Sequence, residues 1–134
     1  MCSKIKREEF EKFLNGSFGL EIYLKKKLIF RSKKSGVAGL LDFIRENGNH
    51  RKGLVVFDKI VGRGAALLCV YIGTEEIFGK LGSSPAAEVL NSHKIRFHFQ
   101  ETVASILNKN QTDICPIEKL SFKKTPEEFY KSLP

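Results

Sequence analysis

Apolar residues in the first part of the chain recur with the spacings of a helix and of strands. The segment KREEFEKFLNG places Phe10, Phe13 and Leu14 on one face, which predicts a short amphipathic helix that ends at Gly16. Two β-rich runs follow, LEIYL and KLIFR, and the lysines between them indicate a β-hairpin.

A second helix and a buried strand come next. The segment SGVAGLLDFIRENG has helical apolar spacing, with Ser35 as its N-cap and Gly48 as its stop. The run LVVF then predicts a buried strand, and GRGAALLCVYI predicts a helix. The turn that we expect between them carries Asp58, Lys59, Gly62 and Arg63.

The second half alternates strand and helix signals. EIFGKL and IRFHF predict strands on either side of the helix SPAAEVLNS, in which Ser84 precedes Pro85 at the first turn. CPIEKL predicts one helical turn. In TPEEFYKSL, Thr125 at the N-cap, Pro126 at N1 and Glu128 at N3 form a capping box.

This order of elements predicts an α/β fold. Strands and helices joined by short connections imply crossovers and a largely parallel sheet with helices on its faces. We therefore expect a three-layer α/β/α sandwich whose mixed sheet opens with an antiparallel hairpin. At 134 residues the chain is predicted to form one domain, residues 1–134, with a core that needs no metal or disulfide.

The net charge of +8 is unevenly distributed. Residues 1–63 contain 15 of the 23 Lys/Arg and 7 of the 15 Asp/Glu, so all of the excess positive charge lies in that half. It is concentrated in KKKLIFRSKKSG. Such a patch attracts phosphates, on a nucleotide or on nucleic acid, or it serves only as a solubilising face.

The termini and cysteines indicate a cytoplasmic protein. The N-terminus is charged and has no apolar h-region, and no apolar run approaches the roughly 20 residues that cross a bilayer. We therefore expect no association with a membrane. Cys2, Cys69 and Cys115 are odd in number and widely spaced, which fits a reducing compartment.

Motifs for several common chemistries are absent from the sequence. FGKLGSS is not a Walker loop, GRGAAL lacks the third glycine of a dinucleotide fingerprint, and there is no Gly-x-Ser-x-Gly elbow. His50, His93 and His98 do not have metal-ligand spacing. We expect His93 to be exposed and His98 to face solvent, and we expect no metal and no cofactor.

Three segments together resemble an uncharacterised prokaryotic domain family. They are DKIVGRGAALL, SSPAAEVL and NKNQTDICPIE. The family carries Asp-Lys-Val-Val-Gly-Lys-Ala-Ala-Ala and, near its end, Asn-Arg followed by Cys-Pro-Met-Glu. The departures in this chain are Ile60, Arg63, Gly64, Lys109 and Ile117. Glycine inside a helix costs about 1 kcal/mol relative to alanine, so we expect Gly64 to allow a close backbone approach.

The resemblance implies a cytidine-deaminase-like fold that lacks the zinc ligands. In deaminases the helix after the hairpin begins with His/Cys-Ala-Glu and the next helix begins with Pro-Cys-x-x-Cys. Here these positions read KSGVAG and FDKIVGRG. Zinc-dependent deamination is therefore not expected. Self-association is implied only by analogy with other deaminase-like folds.

The candidate site lies where two helix N-termini converge at one edge of the sheet. Their free N–H groups and dipoles would attract an anion. The predicted lining is Ser35, Gly36, Asp58, Lys59, Gly62 and Arg63. Lys59 and Arg63 would hold a phosphate or carboxylate, and Asp58 would accept hydrogen bonds from a base or ribose. Alternatively, Asp58 caps a helix or pairs with a neighbouring cation, and Gly62 only permits the turn.

The sequence leaves three hypotheses of function open. The first is a binder of an anionic or nucleotide-like small molecule at this site. The second is an enzyme that uses Asp58 or Cys115 without a metal, since Cys115 precedes Pro116 at a predicted helix N-terminus that would activate a thiol; the alternative for Cys115 is a buried apolar role. The third is a nucleic-acid-binding module that works through the basic segment.

Overall fold

The computed structural model describes residues 4–48, 51–108 and 110–133, so Cys2, His50 and Lys109 lie outside the described residues. The described residues form six helices and five strands. The helices are α1 (Lys4–Asn15), α2 (Gly36–Asn47), α3 (Arg63–Ile72), α4 (Ser84–Ser92), α5 (Pro116–Ser121) and α6 (Pro126–Ser132). The strands are β1 (Leu20–Leu24), β2 (Lys27–Ser32), β3 (Leu54–Val61), β4 (Thr74–Ser83) and β5 (Arg96–Val103).

The five strands form one mixed sheet in the order β2-β1-β3-β4-β5. β1 is antiparallel to both β2 and β3, whereas β3, β4 and β5 run parallel. The mixed sheet and the opening hairpin are confirmed. Because the hairpin inserts β1 beside β3, two of the four pairings are antiparallel, and the sheet is less parallel than expected.

Helices cover both faces of the sheet, and strand alternation assigns the core residues to two clusters. Leu54 and Val56 of β3 belong to the larger cluster, to which α2, α3 and α4 contribute. Phe57 belongs to a smaller aromatic cluster, in which Phe10 and Phe13 of α1 pack on this strand. Helices α5 and α6 pack on α3. The amphipathic face predicted for α1 is therefore the face that is buried.

One local prediction, the turn after Phe57, needs correction. β3 continues to Val61, so Asp58 and Lys59 lie in the strand and not in a turn; Asp58 pairs with Leu20 of β1 and with Gly79 of β4. Helix α4 begins at Ser84, followed by Pro85 in the first turn as expected, and its N-cap is Ser83, whose hydroxyl accepts a hydrogen bond from the N–H of Ala86.

Other local predictions are confirmed. The capping box at Thr125 and Glu128 is present. Gly48 ends α2 with a φ of 75°, a conformation that favours glycine. Gly64 permits close packing as expected, because a Cβ there would lie 2.8 Å from the Phe129 ring of α6.

No helix in the described part of the chain is long and apolar enough to cross a membrane.

Candidate functional site

Asp58 is the central residue of the predicted site, and its carboxylate caps the N-terminus of α2. The side chain is completely buried. Oδ1 accepts a hydrogen bond from the Gly36 N–H at 3.0 Å and from the Ile60 N–H at 3.2 Å, and Oδ2 also lies 3.2 Å from the Gly36 nitrogen. Ser35 stands at the N-cap position, but its own side chain makes no capping bond. Asp58 therefore supplies the acceptor that Ser35 was expected to provide.

The environment of Asp58 changes its acidity. Burial raises the pKa of Asp58 from 3.8 to about 7, although backbone N–H groups that favour the carboxylate oppose the shift. None of the ion pairs among the described residues includes Asp58. Its negative charge is stabilised by backbone dipoles alone, which makes it sensitive to pH near neutrality.

A second carboxylate, from Glu118 of α5, caps the N-terminus of α3. Oε2 accepts the Arg63 N–H at 2.8 Å and Oε1 accepts the Gly64 N–H at 3.0 Å. Glu118 is only 4% exposed. Gly62 leaves the space for it, because a Cβ at Gly62 would lie 2.3 Å from Oε1. Glycine at position 62 is thus required by a close approach from α5.

The Arg63 side chain is turned toward the end of α5. Its Nη1 donates to the carbonyl of Ser121 and its Nη2 donates to the carbonyl of Lys124 at 3.3 Å. A guanidinium at a helix C-terminus satisfies carbonyls that have no partner within the helix. Arg63 therefore joins α3 to the C-terminal helices.

The predicted site residues consequently form two groups and leave one residue aside. Ser35, Gly36 and Asp58 meet at the start of α2, and Gly62 and Arg63 meet Glu118 at the start of α3. Lys59 is directed elsewhere: its Nζ donates to the Gly16 carbonyl at 2.6 Å and lies 5.5 Å from the centre of the Phe13 ring. At both helix N-termini, side chains of the chain itself accept hydrogen bonds from first-turn N–H groups: Asp58 from Gly36, and Glu118 from Arg63 and Gly64.

The cysteines lie in different surroundings. Cys115 is partly exposed and is the N-cap of the six-residue helix α5, and its N–H donates to the Ile106 carbonyl. Cys69 is buried in α3, and burial followed by the nearby charge of Asp58 raises the pKa of its thiol. Cys69 is therefore a core residue, as expected.

A cleft that the sequence did not reveal lies between α1 and the β1–β2 hairpin. Its larger part, which we call the hairpin-turn cavity, has a volume of about 400 Å³. The lining residues are Lys6, Glu9, Tyr23, Lys26, Leu28, Arg31, Val55 and Phe57. An apolar floor with cationic walls is typical of sites for small ligands.

The other end of the cleft, which we call the helix-end cavity, has a volume of about 260 Å³. Glu9, Tyr23 and Arg31 line both cavities. The buried Glu21 carboxylate fixes two of these side chains, because it accepts a hydrogen bond from the Tyr23 hydroxyl at 3.1 Å and another from Arg31 Nη2 at 2.8 Å. Burial and the Glu21 charge raise the pKa of Tyr23, so its hydroxyl stays protonated at neutral pH. The alternation of charged and apolar residues in the hairpin was the available signal for this site.

A cluster of charges around Glu76 connects α1 to the edge of the sheet. The buried Glu76 carboxylate lies 2.6 Å from Lys6 Nζ, 2.7 Å from His98 Nε2 and 3.6 Å from Arg96 Nη2. Burial alone would raise the pKa of Glu76, but these partners together lower it. The rings of His98 and Phe78 stack with their centroids 4.5 Å apart, so His98 packs against the aromatic cluster under α1, while 40% of its side chain is exposed. The expectation that it faces solvent is therefore confirmed only in part.

No group of three or more His, Cys, Asp or Glu side chains in the described ranges is arranged to hold a metal ion.

Comparisons with known proteins identify the family. The profile described as "TM1506: Domain of unknown function (DUF1893)" matches residues 11–133. The crystal structure of a DUF1893 family protein (TM1506) from Thermotoga maritima is similar, with a TM-score of 0.86 and 28% sequence identity over 98% of this chain and 90% of that one. No curated protein matches. The chain therefore belongs to the DUF1893 family, a family of unknown function.

Proposed function

We propose that this chain is a zinc-free member of the cytidine-deaminase-like folds that binds an anionic, nucleotide-like small molecule in the hairpin-turn cavity. The order of elements and the mixed sheet support this fold. At the starts of α2 and α3, where a deaminase has its zinc ligands, this chain has a serine–glycine pair and a glycine–arginine pair. The chemistry of these residues favours binding over metal-assisted hydrolysis.

The electrostatics favour the cleft over the recess between the helix N-termini. In that recess, Asp58 accepts the N–H of Gly36 and Glu118 accepts those of Arg63 and Gly64, and a carboxylate at each helix start disfavours a further anion. The side chains of Lys59 and Arg63 donate to backbone carbonyls. An anion would bind there only by displacing one of these carboxylates.

One observation carries the proposal: the hairpin-turn cavity combines an apolar floor with cations. Leu28 and Val55, which are partly exposed, supply apolar surface for a ring, and buried Phe57 lies among the lining residues. Lys26 stands at the rim, and no residue in the described ranges makes a hydrogen bond or an ion pair with its side chain. A ligand with a flat apolar part and a phosphate or carboxylate satisfies both features.

Catalysis by Asp58 is less favoured than binding. Its carboxyl group is fully buried, so a substrate does not reach it without movement of the surrounding elements. The partly exposed Cys115 is accessible, but its helix has only six residues, and so its dipole is small.

The test is a thermal-shift panel of nucleosides, nucleoside monophosphates, sugars and sugar phosphates, with wild type and two variants. We expect phosphorylated compounds to raise Tm and their parent compounds not to do so. Lys26→Gln should reduce the shift. Lys25→Gln is the matched control, because Lys25 is exposed in the same turn, also has a positive φ and does not line the cavity.

Two results would contradict the proposal. One is that no compound in the panel raises Tm. The other is that Lys25→Gln reduces the shift as much as Lys26→Gln, which would indicate a general effect of charge and not a site.

A further inference from the structure

The arrangement of the two cavities indicates the shape of the ligand as well as its charge. They share Glu9, Tyr23 and Arg31, so they meet at these side chains. The hairpin-turn cavity extends from this junction to Lys26, and the helix-end cavity extends from it to Lys12. A cation therefore stands at each end of the cleft.

Both terminal lysines are available for a ligand. Lys12 and Lys26 are exposed, and neither makes a hydrogen bond or an ion pair with another residue that the structure describes. The other basic residues of the cleft differ in this respect: Lys6 is held by Glu76 and Arg31 is held by Glu21. Each terminal lysine can thus donate to an oxyanion without breaking an existing ion pair.

The junction between the two cavities carries negative charge, in contrast to the lysines at the two ends. Glu9 contributes a carboxylate that accepts hydrogen bonds, and the buried carboxylate of Glu21 lies beneath Tyr23 and Arg31. An anionic group at this point would meet negative charge, whereas a hydroxyl or amino group would find an acceptor. The middle of the ligand therefore carries hydrogen-bond donors.

Both cavities lie along α1. Lys6 lines one cavity and Lys12 lines the other, and six residues separate them on α1. At 1.5 Å per residue this is about 9 Å along the helix. A ligand that occupies both cavities therefore extends over about this length of α1.

We infer that the ligand is an elongated bis-anion, with a phosphate or carboxylate at each end and a middle part that carries hydroxyl or amino groups. This inference rests on the proposed function. It names the ligand class as a sugar bisphosphate or a nucleoside bisphosphate in preference to a molecule with one charged end.

The test is isothermal titration calorimetry of the full chain with two matched pairs of probes. The pairs are fructose 1,6-bisphosphate with fructose 6-phosphate, and adenosine 3′,5′-bisphosphate with adenosine 5′-monophosphate. We expect a bisphosphate to bind about tenfold more tightly than its monophosphate, because it gains one more charged hydrogen bond. Lys12→Gln and Lys26→Gln should each remove most of this preference.

Arg7→Gln is the control, because it removes one charge from an exposed position of the same helix, outside both cavities. It should leave the preference intact. If a monophosphate and its bisphosphate bind with equal affinity, or if only one of the two lysine variants loses the preference for the bisphosphate, the inference of a bis-anionic ligand is wrong but the proposed binding function stands. The same conclusion would follow if a phosphorylated compound raises Tm in the thermal-shift panel but neither bisphosphate binds in the titrations. If neither the panel nor the titrations detect a ligand, both proposals fall.

Discussion

The substitution Gly62→Ala tests whether Glu118 holds the N-terminus of α3. The φ of Gly62 is −90°, so alanine is compatible with its backbone. The added Cβ would lie 2.3 Å from Oε1 and 2.5 Å from Cδ of Glu118. Because such contacts cannot persist, the carboxylate must leave the N–H groups of Arg63 and Gly64.

The expected loss follows from the bonds that are broken. Hydrogen bonds to a charged group contribute about 1.5–3 kcal/mol each, so the loss of two, partly offset by entry of water, should lower the free energy of unfolding by about 3 kcal/mol. Glu118→Ala breaks the same bonds and should cost a similar amount. In the double variant Gly62→Ala/Glu118→Ala the methyl group has room, so this protein should be as stable as Glu118→Ala alone.

Urea denaturation followed by circular dichroism gives the four free energies of this double-mutant cycle. We expect a coupling energy of about 3 kcal/mol between the two positions. Gly16→Ala is the control, because a Cβ there meets no heavy atom closer than 3.4 Å. Additive losses, or a Gly62→Ala protein as stable as the Gly16→Ala protein, would refute the role assigned to Glu118.

Two further predictions concern pH and have opposite signs. Burial raises the pKa of Asp58 to about 7 in the folded state, so wild type should lose stability as the pH rises toward 7. Between pH 5 and pH 8 its free energy of unfolding, measured by urea denaturation, should fall by about 3 kcal/mol more than that of Asp58→Asn. Equal losses in the two proteins would contradict the burial argument. The folded state lowers the pKa of Glu76, so the contribution of its ion pairs to stability is present at neutral pH and disappears on acidification. Glu76→Gln should therefore be less stable than wild type at pH 7 and should approach the stability of wild type at low pH. A stability difference that stays constant with pH would exclude the ion-pair explanation.

Local signals in the sequence determined most of the secondary structure. The apolar spacing of Phe10 and Phe13 defined the buried face of α1, and the Thr125–Glu128 capping box defined the start of α6. These features depend on residues within one or two turns of each other, so spacing is sufficient to predict them. The extent of β3 could not be read in this way, because the polar residues Asp58 and Lys59 interrupt its apolar pattern, and it is pairing with β1 and β4 that continues the strand.

The residues predicted to line the recess lie at the two helix starts, apart from Lys59, but the sequence did not show which groups bond to them. Sequence reasoning brought Gly36, Asp58 and Arg63 to the two helix starts, because a parallel sheet places such residues at one edge. It gave no sign that the carboxylate of Glu118, in α5, reaches α3. Glu118 and Arg63 are separated by 55 residues, and nothing in local spacing determines which donors a distant carboxylate will find.

The chain by itself thus determined its elements, its family resemblance and its excess of positive charge. Only the tertiary structure decided which charges remain free. Asp58 accepts a hydrogen bond from Gly36, 22 residues away in sequence, and Lys6 donates one to Glu76, 70 residues away. These two contacts occupy the Asp58 and Glu76 carboxylates, the Gly36 N–H and the Lys6 ammonium group, which are therefore not free to bind a ligand. Lys12 and Lys26 remain exposed because they extend from the ends of a cleft that forms only when α1 packs beside the hairpin.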